Sequence, residues 1–432
     1  MRGLFKSRVL YLALAIVASG LPSITNAHAT YVFSSHKFTN CSALGKNGPS
    51  QASCRNAYST SWDESDSNFR VVSGIQFWTV PTSGFYYIDA YGAGGAGLFA
   101  GGGARIADRF LLTEGEVLRI LVGQVGETTT SISANAGSGG TFIVRSPYND
   151  NASILVIAGG GGGSESGVSQ RTEPHASIST NGNNGFTTGL GPSATTSGAG
   201  GTSGNGGGAA SADNSGGGGG GFFTNGTRNT EWDNNGGVAF VNGGAGATGG
   251  TTSSSTNDGG FGGGGAAAGK GSGGGPGGGG GYSGGGGGDN VGNGAGGGGS
   301  SYFANGLNTN RITTSNSNPA QTQGYVTITF LSAATSTTSI TVAGDVTSTQ
   351  FNKPLTITAT VDNPGKVTFR ENGRKIANCV GRTAITTITC SWKPKIRGSI
   401  SITASLIPTN GSISSSSSSP LKILVVPRVG LR

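Results

Sequence analysis

Gly277-Gly-Gly-Gly-Gly-Tyr-Ser-Gly-Gly-Gly-Gly-Gly288 belongs to a glycine-rich region that extends from Gly92 to Gly306. Glycine accounts for 86 of the 432 residues, and most of these glycines lie in this region. The flanking residues 85–91 and 325–330 are rich in Tyr, Phe, Ile and Val and are typical of β-strands. A glycine-rich tail by itself would be a flexible linker. Glycine between strands instead indicates an insertion held by a β-domain, which favours a binding or structural surface over a catalytic pocket.

The core of this insertion, here called the glycine block, comprises about residues 159–300. Its other residues are mostly Ala, Ser, Thr and Asn, a composition that predicts disorder because glycine loses much backbone entropy on folding. Aromatic residues such as Phe222, Phe261 and Tyr282 recur, however. Polyproline II segments can pack side by side where glycine lets their backbones touch, and the absence of a strict Gly-x-y register excludes a collagen triple helix. Composition leaves both a polyproline II bundle and a disordered segment open.

The sequence around the glycine block predicts an all-β fold. About eight short strands with turn residues between them indicate a jelly-roll sandwich or a related sandwich. Residues 81–84 are expected to form a turn between two strands, and Thr113-Glu-Gly-Glu116 a hairpin loop. No segment shows sustained helical periodicity, so helix content should be low. The candidate strands are residues 31–33, 70–80, 85–91, 105–112, 118–122, 141–145, 154–158 and 325–330.

Residues 335–427 form a second pattern, in which apolar residues alternate with Thr or Ser. This period of two, with a hairpin signal at Asn372-Gly373, predicts an immunoglobulin-like β-sandwich. Trp392 is expected to cap its core. The candidate strands are residues 339–342, 355–361, 366–369, 384–390, 399–403 and 421–426.

Residues 1–29 are typical of a secretory signal peptide, with a basic start, an apolar run over residues 9–21 and Ala27-His28-Ala29 as a cleavage site. A retained membrane anchor is the alternative. Cleavage predicts a secreted or extracellular protein, which could also be associated with the cell surface.

The four cysteines form two pairs that are close in sequence. In an exported chain this count predicts two disulfides, Cys41–Cys54 and Cys379–Cys390. Eleven positions separate the second pair, which is too few for the disulfide between sheets found in antibody domains, so we expect it to staple two adjacent strands. No metal site is predicted, because only His36 and His175 remain after residue 29.

Charge is distributed unequally along the chain. Residues 30–334 carry 12 basic and 16 acidic side chains, a net charge of −4, whereas residues 335–432 carry 12 basic and 3 acidic, a net charge of +9. For an exported protein this predicts contact with an anionic envelope polymer or a membrane surface, not with nucleic acid. A merely solvated basic face is the alternative. The candidate contacts are Lys366, Arg370, Arg374, Lys375, Arg382, Lys393, Lys395 and Arg397.

Several collinear blocks over about residues 30–331 resemble the glycine-rich extracellular region of the receptor tyrosine kinases anaplastic lymphoma kinase and leukocyte tyrosine kinase. The more specific blocks are Gly74-Ile-Gln-Phe-Trp-Thr-Val-Pro81 and Leu118-Arg-Ile-Leu-Val-Gly-Gln-Val-Gly-Glu127. The resemblance implies a tumour-necrosis-factor-like jelly roll with the glycine block inserted as a packed polyproline II bundle, and a region that binds protein ligands. Gly365-Lys-Val-Thr-Phe369 resembles bacterial immunoglobulin-like repeats of surface proteins. This part of the chain stands where the receptors continue towards their kinase domain, so the resemblance does not imply kinase activity.

Short motifs that imitate functional sites are predicted to be inert. Gly264-Gly-Ala-Ala-Ala-Gly-Lys270 lacks the Ser or Thr of a phosphate-binding loop and continues with Gly271. His36 is expected at the surface and His175 at a loop tip. Asp63-Glu-Ser-Asp66 is expected to be a solvated acidic turn, because it lacks the spacing of a calcium loop.

These patterns predict a non-enzymatic exported surface protein without catalytic residues or cofactors. The glycine-rich part would present a rigid recognition or adhesion surface to an unidentified protein or glycan ligand. The basic immunoglobulin-like part would act as a spacer or an envelope contact. A structural matrix or envelope protein whose glycine block self-associates is the alternative.

Overall fold

The computed structural model describes residues 31–128, 134–165, 172–187, 197–211, 215–229, 235–249, 257–268, 274–290, 294–304, 311–342, 344, 346–410 and 413–428. The predicted signal peptide lies outside these residues. The structure is nearly all β, with 37% of the described residues in strands and 4% in helices, which confirms the predicted fold class. Two groups of sheets with separate hydrophobic cores are called here the first unit (residues 31–333) and the second unit (residues 334–428).

The described residues of the first unit form eleven strands and one short α-helix. This helix, α1 (Gln51–Tyr58), begins with a capping box between Ser50 and Ser53. It was not predicted, because eight residues with one buried side chain are too few to show a period. The elements are β1 (Ser35–Phe38), α1 (Gln51–Tyr58), β2 (Phe69–Val72), β3 (Ile75–Thr79), β4 (Gly84–Tyr91), β5 (Gly103–Leu112), β6 (Val117–Leu121), β7 (Thr141–Val144), β8 (Ile154–Ala158), β9 (Tyr302–Phe303), β10 (Ile312–Asn318) and β11 (Tyr325–Ala333).

Two antiparallel sheets enclose the main core of the first unit. Sheet A has the order β1-β11-β4-β5-β10, and sheet B has the order β2-β3-β6-β7-β8-β9. Side chains on β4 alternate between buried and half-buried, because only one face of sheet A is turned to the core. The core includes Phe38, Trp78, Tyr86, Ile88, Ile106, Leu118, Ile143, Val156 and Val326. The two layers are a β-sandwich; the jelly-roll connection remains a prediction.

Strands β7 and β8 of sheet B are buried on both faces. Every residue of β7 and β8 is buried, and the side of sheet B away from sheet A packs against aromatic residues of the glycine block. Phe142 of β7 stacks on Phe240, with ring centroids 5.1 Å apart, and Phe240 stacks on Phe222 at 5.2 Å. Phe261 and Tyr282 belong to the same cluster. This second covered face explains why the sequences of β7 and β8 are apolar without alternation.

The described residues of the glycine block lie mostly outside helix and strand, in segments that hydrogen-bond to one another through the backbone. The Gly279 N–H donates to the Gly297 carbonyl at 2.9 Å, and the Gly297 N–H donates to the Gly286 carbonyl at 2.8 Å. A Cβ on Gly279 would overlap the carbonyl of Gly160. Glycine is therefore required there by a neighbouring backbone, and the buried N–H and C=O groups are satisfied by their neighbours.

Two predictions for the first unit are wrong, one of a connecting loop and one of a strand. Residues 113–116 do not form a hairpin loop, because β5 belongs to sheet A and β6 to sheet B. The run 70–80 is not one strand either: it divides into β2 and β3, which pair as a hairpin around Ser73 and Gly74 at φ of 49° and 83°. Turn residues indicate that the chain reverses but do not specify which strand it pairs with next.

The described residues of the second unit form ten strands around their own core. The strands are β12 (Thr338–Val342), β13 (Ser348–Gln350), β14 (Leu355–Val361), β15 (Gly365–Glu371), β16 (Arg374–Lys375), β17 (Arg382–Ala384), β18 (Thr387–Trp392), β19 (Gly398–Pro408), β20 (Ser416–Ser417) and β21 (Leu421–Val426). Sheet C has the order β12-β14-β18, and sheet D has the order β13-β21-β19-β15-β16, with β17 beside β15 and β20 beside β19. Trp392 is buried in the core, as expected.

Both predicted disulfides are present, but Cys379–Cys390 does not staple adjacent strands. Cys379 lies in the loop after β16, where its carbonyl accepts a hydrogen bond from Phe369 of sheet D, whereas Cys390 lies on β18 of sheet C. The bridge therefore ties the two sheets together. A short sequence separation permits this because the chain passes from β17, beside β15 of sheet D, to β18 of sheet C between the two cysteines.

Candidate interaction surfaces

One end of the second unit collects several loops. The chain enters this unit at Thr338, which pairs with Val361 at one end of sheet C. The opposite end is marked by Leu355, which pairs with Trp392. In sheet D, Gly398 pairs with Val425 at the start of β19. The turn 351–354, the loop 393–397 and residues 427–428 therefore meet at the end away from the chain entry.

These loops carry five exposed cations, which we call the basic tip: Lys353, Lys393, Lys395, Arg397 and Arg428. Among the described residues of the second unit the carboxylates are Asp362 and Glu371. Asp362 lies at the chain-entry end, where it accepts hydrogen bonds from the Thr337 N–H and hydroxyl at 2.9 and 2.8 Å. Glu371 is on β15. The tip loops thus present positive charge without a described carboxylate in them.

The tip loops are fixed to one another. The Phe351 N–H donates to the Val426 carbonyl at 2.8 Å, and the Asn352 N–H donates to the Pro394 carbonyl at 3.0 Å. The Lys395 ammonium donates to the Asn352 side-chain oxygen at 3.2 Å. The Arg397 guanidinium lies 5.3 Å from the centre of the Phe351 ring, within cation–π range. These contacts hold the cations in place relative to the sandwich.

The structure does not bring the eight predicted contact residues together. Lys393, Lys395 and Arg397 are in the basic tip. Arg370 and Lys375 pair across the Asn372-Gly373 hairpin, which packs against Ser401 in the middle of sheet D. Arg374 is on the same hairpin, opposite Glu371. Lys366 and Arg382 lie nearer the chain-entry end, where Lys366 pairs with Ile407 and Arg382 with Val367.

Sequence reasoning missed Lys353 and Arg428. Both residues lie next to the end of a strand. Lys353 is two residues before the start of β14, and Arg428 is two residues after the end of β21. Both strands were predicted correctly from their alternation. In antiparallel pairs the start of one strand lies beside the end of its partner. Applying this rule to β14 with β18 and to β21 with β19 would have grouped Lys353 and Arg428 with Lys393 and Lys395.

A second candidate surface is the outer face of sheet A. Tyr91 stacks on Tyr325 with centroids 4.3 Å apart, and the Lys37 ammonium lies 3.7 Å from the Tyr325 ring centre. Arg105 donates two hydrogen bonds to Asp89, at 2.9 and 2.8 Å. Tyrosine and arginine dominate protein-binding hot spots because they combine large contact areas with directed polar groups.

A groove of about 560 Å³ crosses this face. The Arg109 guanidinium lies 3.9 Å from the centre of the Phe85 ring, and Leu331 is 46% exposed. The groove is lined by Tyr87, Arg311, Ile312, Thr329 and Leu331.

Asp63 is buried and His36 is half-buried, contrary to the sequence-based expectation. The centroid of the His36 ring lies 4.4 Å from the ring centroid of Tyr58 and 4.9 Å from that of Trp62. Burial lowers the pKa of His36 to about 4, although the nearby Asp63 acts in the opposite direction. Asp63 is fully buried, so the predicted acidic turn is wrong for this residue. Local sequence did not reveal that the loop after α1 folds inward.

The other inert motifs need one correction. The Arg55 guanidinium donates to the Asp66 carboxylate at 2.8 Å, so that part of the acidic turn is exposed but paired. His175 lies in the turn 172–175, as expected, but its ring is held against the protein, because its Nδ1 accepts from the Gly102 N–H at 2.8 Å. Among the described residues, no three His, Cys, Asp or Glu side chains are placed to hold a metal ion. Lys270 lies outside the described residues.

Comparison with known proteins gives a partial match. A segment of 96 residues, 21% of this chain, is 40% identical to the leukocyte tyrosine kinase receptor of Mus musculus and covers 11% of that protein. The match therefore spans about a tenth of the relative's length. No family model matches the chain. The match and the two disulfides fit a surface or extracellular protein. No described helix has the length and hydropathy needed to cross a membrane.

Proposed function

We propose that this protein is an exported, non-enzymatic surface protein in which the first unit recognises or adheres to a partner and the second unit contacts the envelope. The observation that carries the proposal is that the outer faces of the two sheets in the first unit differ. The glycine block covers one side of sheet B, while sheet A presents tyrosine and arginine side chains outward. The partial likeness to a receptor supports a protein ligand; a glycan remains the alternative.

The test is saturable binding of the labelled mature protein to intact cells and envelope preparations of its source. Tyr87 and Arg109 pair across sheet A, and we expect the double variant Tyr87→Ala/Arg109→Ala to weaken binding at least tenfold. A matched control, Thr356→Ala/Thr389→Ala on sheet C, should bind normally. Wild-type binding by the sheet A variant, with an unchanged melting temperature, would refute the recognition role of this face.

The opposite net charges of residues 30–334 and residues 335–432, −4 and +9, support a second function. A basic second unit could contact the acidic first unit of another copy, and repetition of such a head-to-tail contact builds an open chain. This is the structural matrix alternative. Sedimentation velocity from micromolar to high micromolar concentration separates the two: a persistent monomer favours recognition, and open-ended, salt-sensitive assembly favours a matrix.

A further inference from the structure

We infer that the basic tip seats the second unit on an anionic phospholipid bilayer, with Ile396 inserted at the boundary between headgroups and acyl chains. This inference rests on the proposed envelope contact and names its chemistry. The proposed contact residues are those of the basic tip and no longer the eight cations predicted from sequence, which the structure does not bring together.

The carrying observation is an apolar side chain inside the basic loop. Ile396 is 56% exposed and lies between Lys395 and Arg397, which are both exposed. A single exposed isoleucine is common on soluble proteins and means little by itself. Here it occupies a loop with three cations, where water surrounds an apolar group that a membrane interface would accept.

The loop is pre-organised for insertion. Its neighbours Trp392 and Pro394 are buried, and the Pro394 carbonyl is bound by the Asn352 N–H at 3.0 Å. Gly398 closes the loop at φ of 101°, a conformation that favours glycine. Little backbone entropy of the loop therefore remains to be lost when it docks. The chain enters the unit at the opposite end, so the connection to the first unit does not obstruct the tip.

The positive charge of the tip favours an anionic ligand, and the exposed Ile396 favours a lipid bilayer over a soluble polymer as that ligand. Lys and Arg near an anionic bilayer each contribute to binding, whereas an apolar side chain adds affinity only where it can leave water. An anionic polysaccharide or polyphosphate chain would satisfy the cations but would leave Ile396 in water. Membrane binding therefore predicts that both kinds of residue matter.

The experiment measures co-sedimentation of the full mature protein with vesicles of phosphatidylcholine alone or with about one third phosphatidylglycerol. Wild type should bind the anionic vesicles. Lys393→Gln/Lys395→Gln/Arg397→Gln should weaken binding on the order of a hundredfold, and Ile396→Ser about tenfold. The control Lys366→Gln/Lys375→Gln/Lys422→Gln removes the same charge elsewhere and should weaken binding only a few-fold, because salt screens distant charge.

A reporter variant tests insertion directly. Ile396→Trp should show a blue-shifted emission on anionic vesicles and quenching by lipids brominated in their acyl chains. An unaffected Ile396→Ser variant, or equal binding to soluble polyphosphate, would overturn the inference in favour of a polymer. Equal losses in tip and control variants would overturn the localisation. No anionic binding would also overturn it, while the sheet A binding test would be unaffected and would still judge the recognition function.

Discussion

At the scale of single residues, His36 couples stability to pH. Burial lowers the pKa of His36 to about 4 in the folded protein, whereas in the unfolded chain it is about 6.5. Between these values the unfolded state binds more protons, so the free energy of unfolding falls as the pH drops from about 6.5 to 4. Burial lowers the pKa of His175 as well, in the same direction.

We predict that His36→Gln reduces this acid sensitivity, because glutamine stays neutral throughout the window. The measurement is urea unfolding at pH 7, 5.5 and 4.5, with His175→Gln as a separate comparison. The His36→Gln protein should lose less stability than wild type between pH 7 and 4.5. An identical loss in both proteins would show that His36 is not protonated on unfolding in the way its burial requires.

Glycine positions in the block differ in what a methyl group would meet. At Gly279 a Cβ would overlap the Gly160 carbonyl, whereas at Gly208 the nearest atom, the Ala199 nitrogen, is 3.2 Å away. We therefore predict that Gly279→Ala destabilises the protein by roughly 1–3 kcal/mol and Gly208→Ala by much less. Thermal unfolding of the two variants tests this, and equal effects would mean that composition and not backbone contact explains the glycines.

At the scale of secondary structure elements, local patterns predicted strands better than their pairing. The bounds of β8, β14 and β21 agree with the sequence-based expectation, because each is a short apolar or alternating run. The crossing at residues 113–116 was mistaken for a hairpin, since the choice between sheets A and B depends on contacts distant in sequence. The polar strand β10 lacked an apolar pattern altogether.

The candidate sites show the same limit. Charge counting located the basic unit, but only Lys393, Lys395 and Arg397 of the eight predicted cations are at the tip. The side chains of a β-strand are distributed along its whole length, so closeness in sequence does not group them at one end. The tyrosine and arginine face of sheet A was missed because its members come from separate strands.

The Cys379–Cys390 bridge joins sheets C and D, and its removal should act on the second unit. With eleven positions between the cysteines, the chain-entropy model gives roughly 3 kcal/mol. We predict that Cys379→Ala/Cys390→Ala lowers the melting temperature of the second unit by about 10 °C or more and leaves the first unit unchanged, because the two cores are separate. Calorimetry should show one shifted transition, whereas Cys41→Ala/Cys54→Ala should shift the other. A shift of both transitions would contradict separate unfolding.

At the scale of the whole molecule, the glycine block depends on the sandwich that holds it. Its described segments satisfy one another's backbone groups, but few of its residues bury apolar side chains. The larger apolar contacts are those of Phe222, Phe240 and Phe261 with sheet B. Ordering a residue costs about 1–2 kcal/mol of backbone entropy, and glycine loses more than other residues. The block therefore lacks the burial needed to fold alone.

We predict that residues 159–300 produced alone show no amide protection in hydrogen exchange, whereas the same residues in the mature protein are protected. Within the full chain, Phe142→Ser should lower protection first in segments around Phe240, because Phe142 stacks directly on that ring. Segments of sheet D should keep their protection and serve as the internal control. Protection of the isolated block equal to that in the full chain would show that backbone hydrogen bonds suffice, and the sandwich would then be an attachment and not a frame.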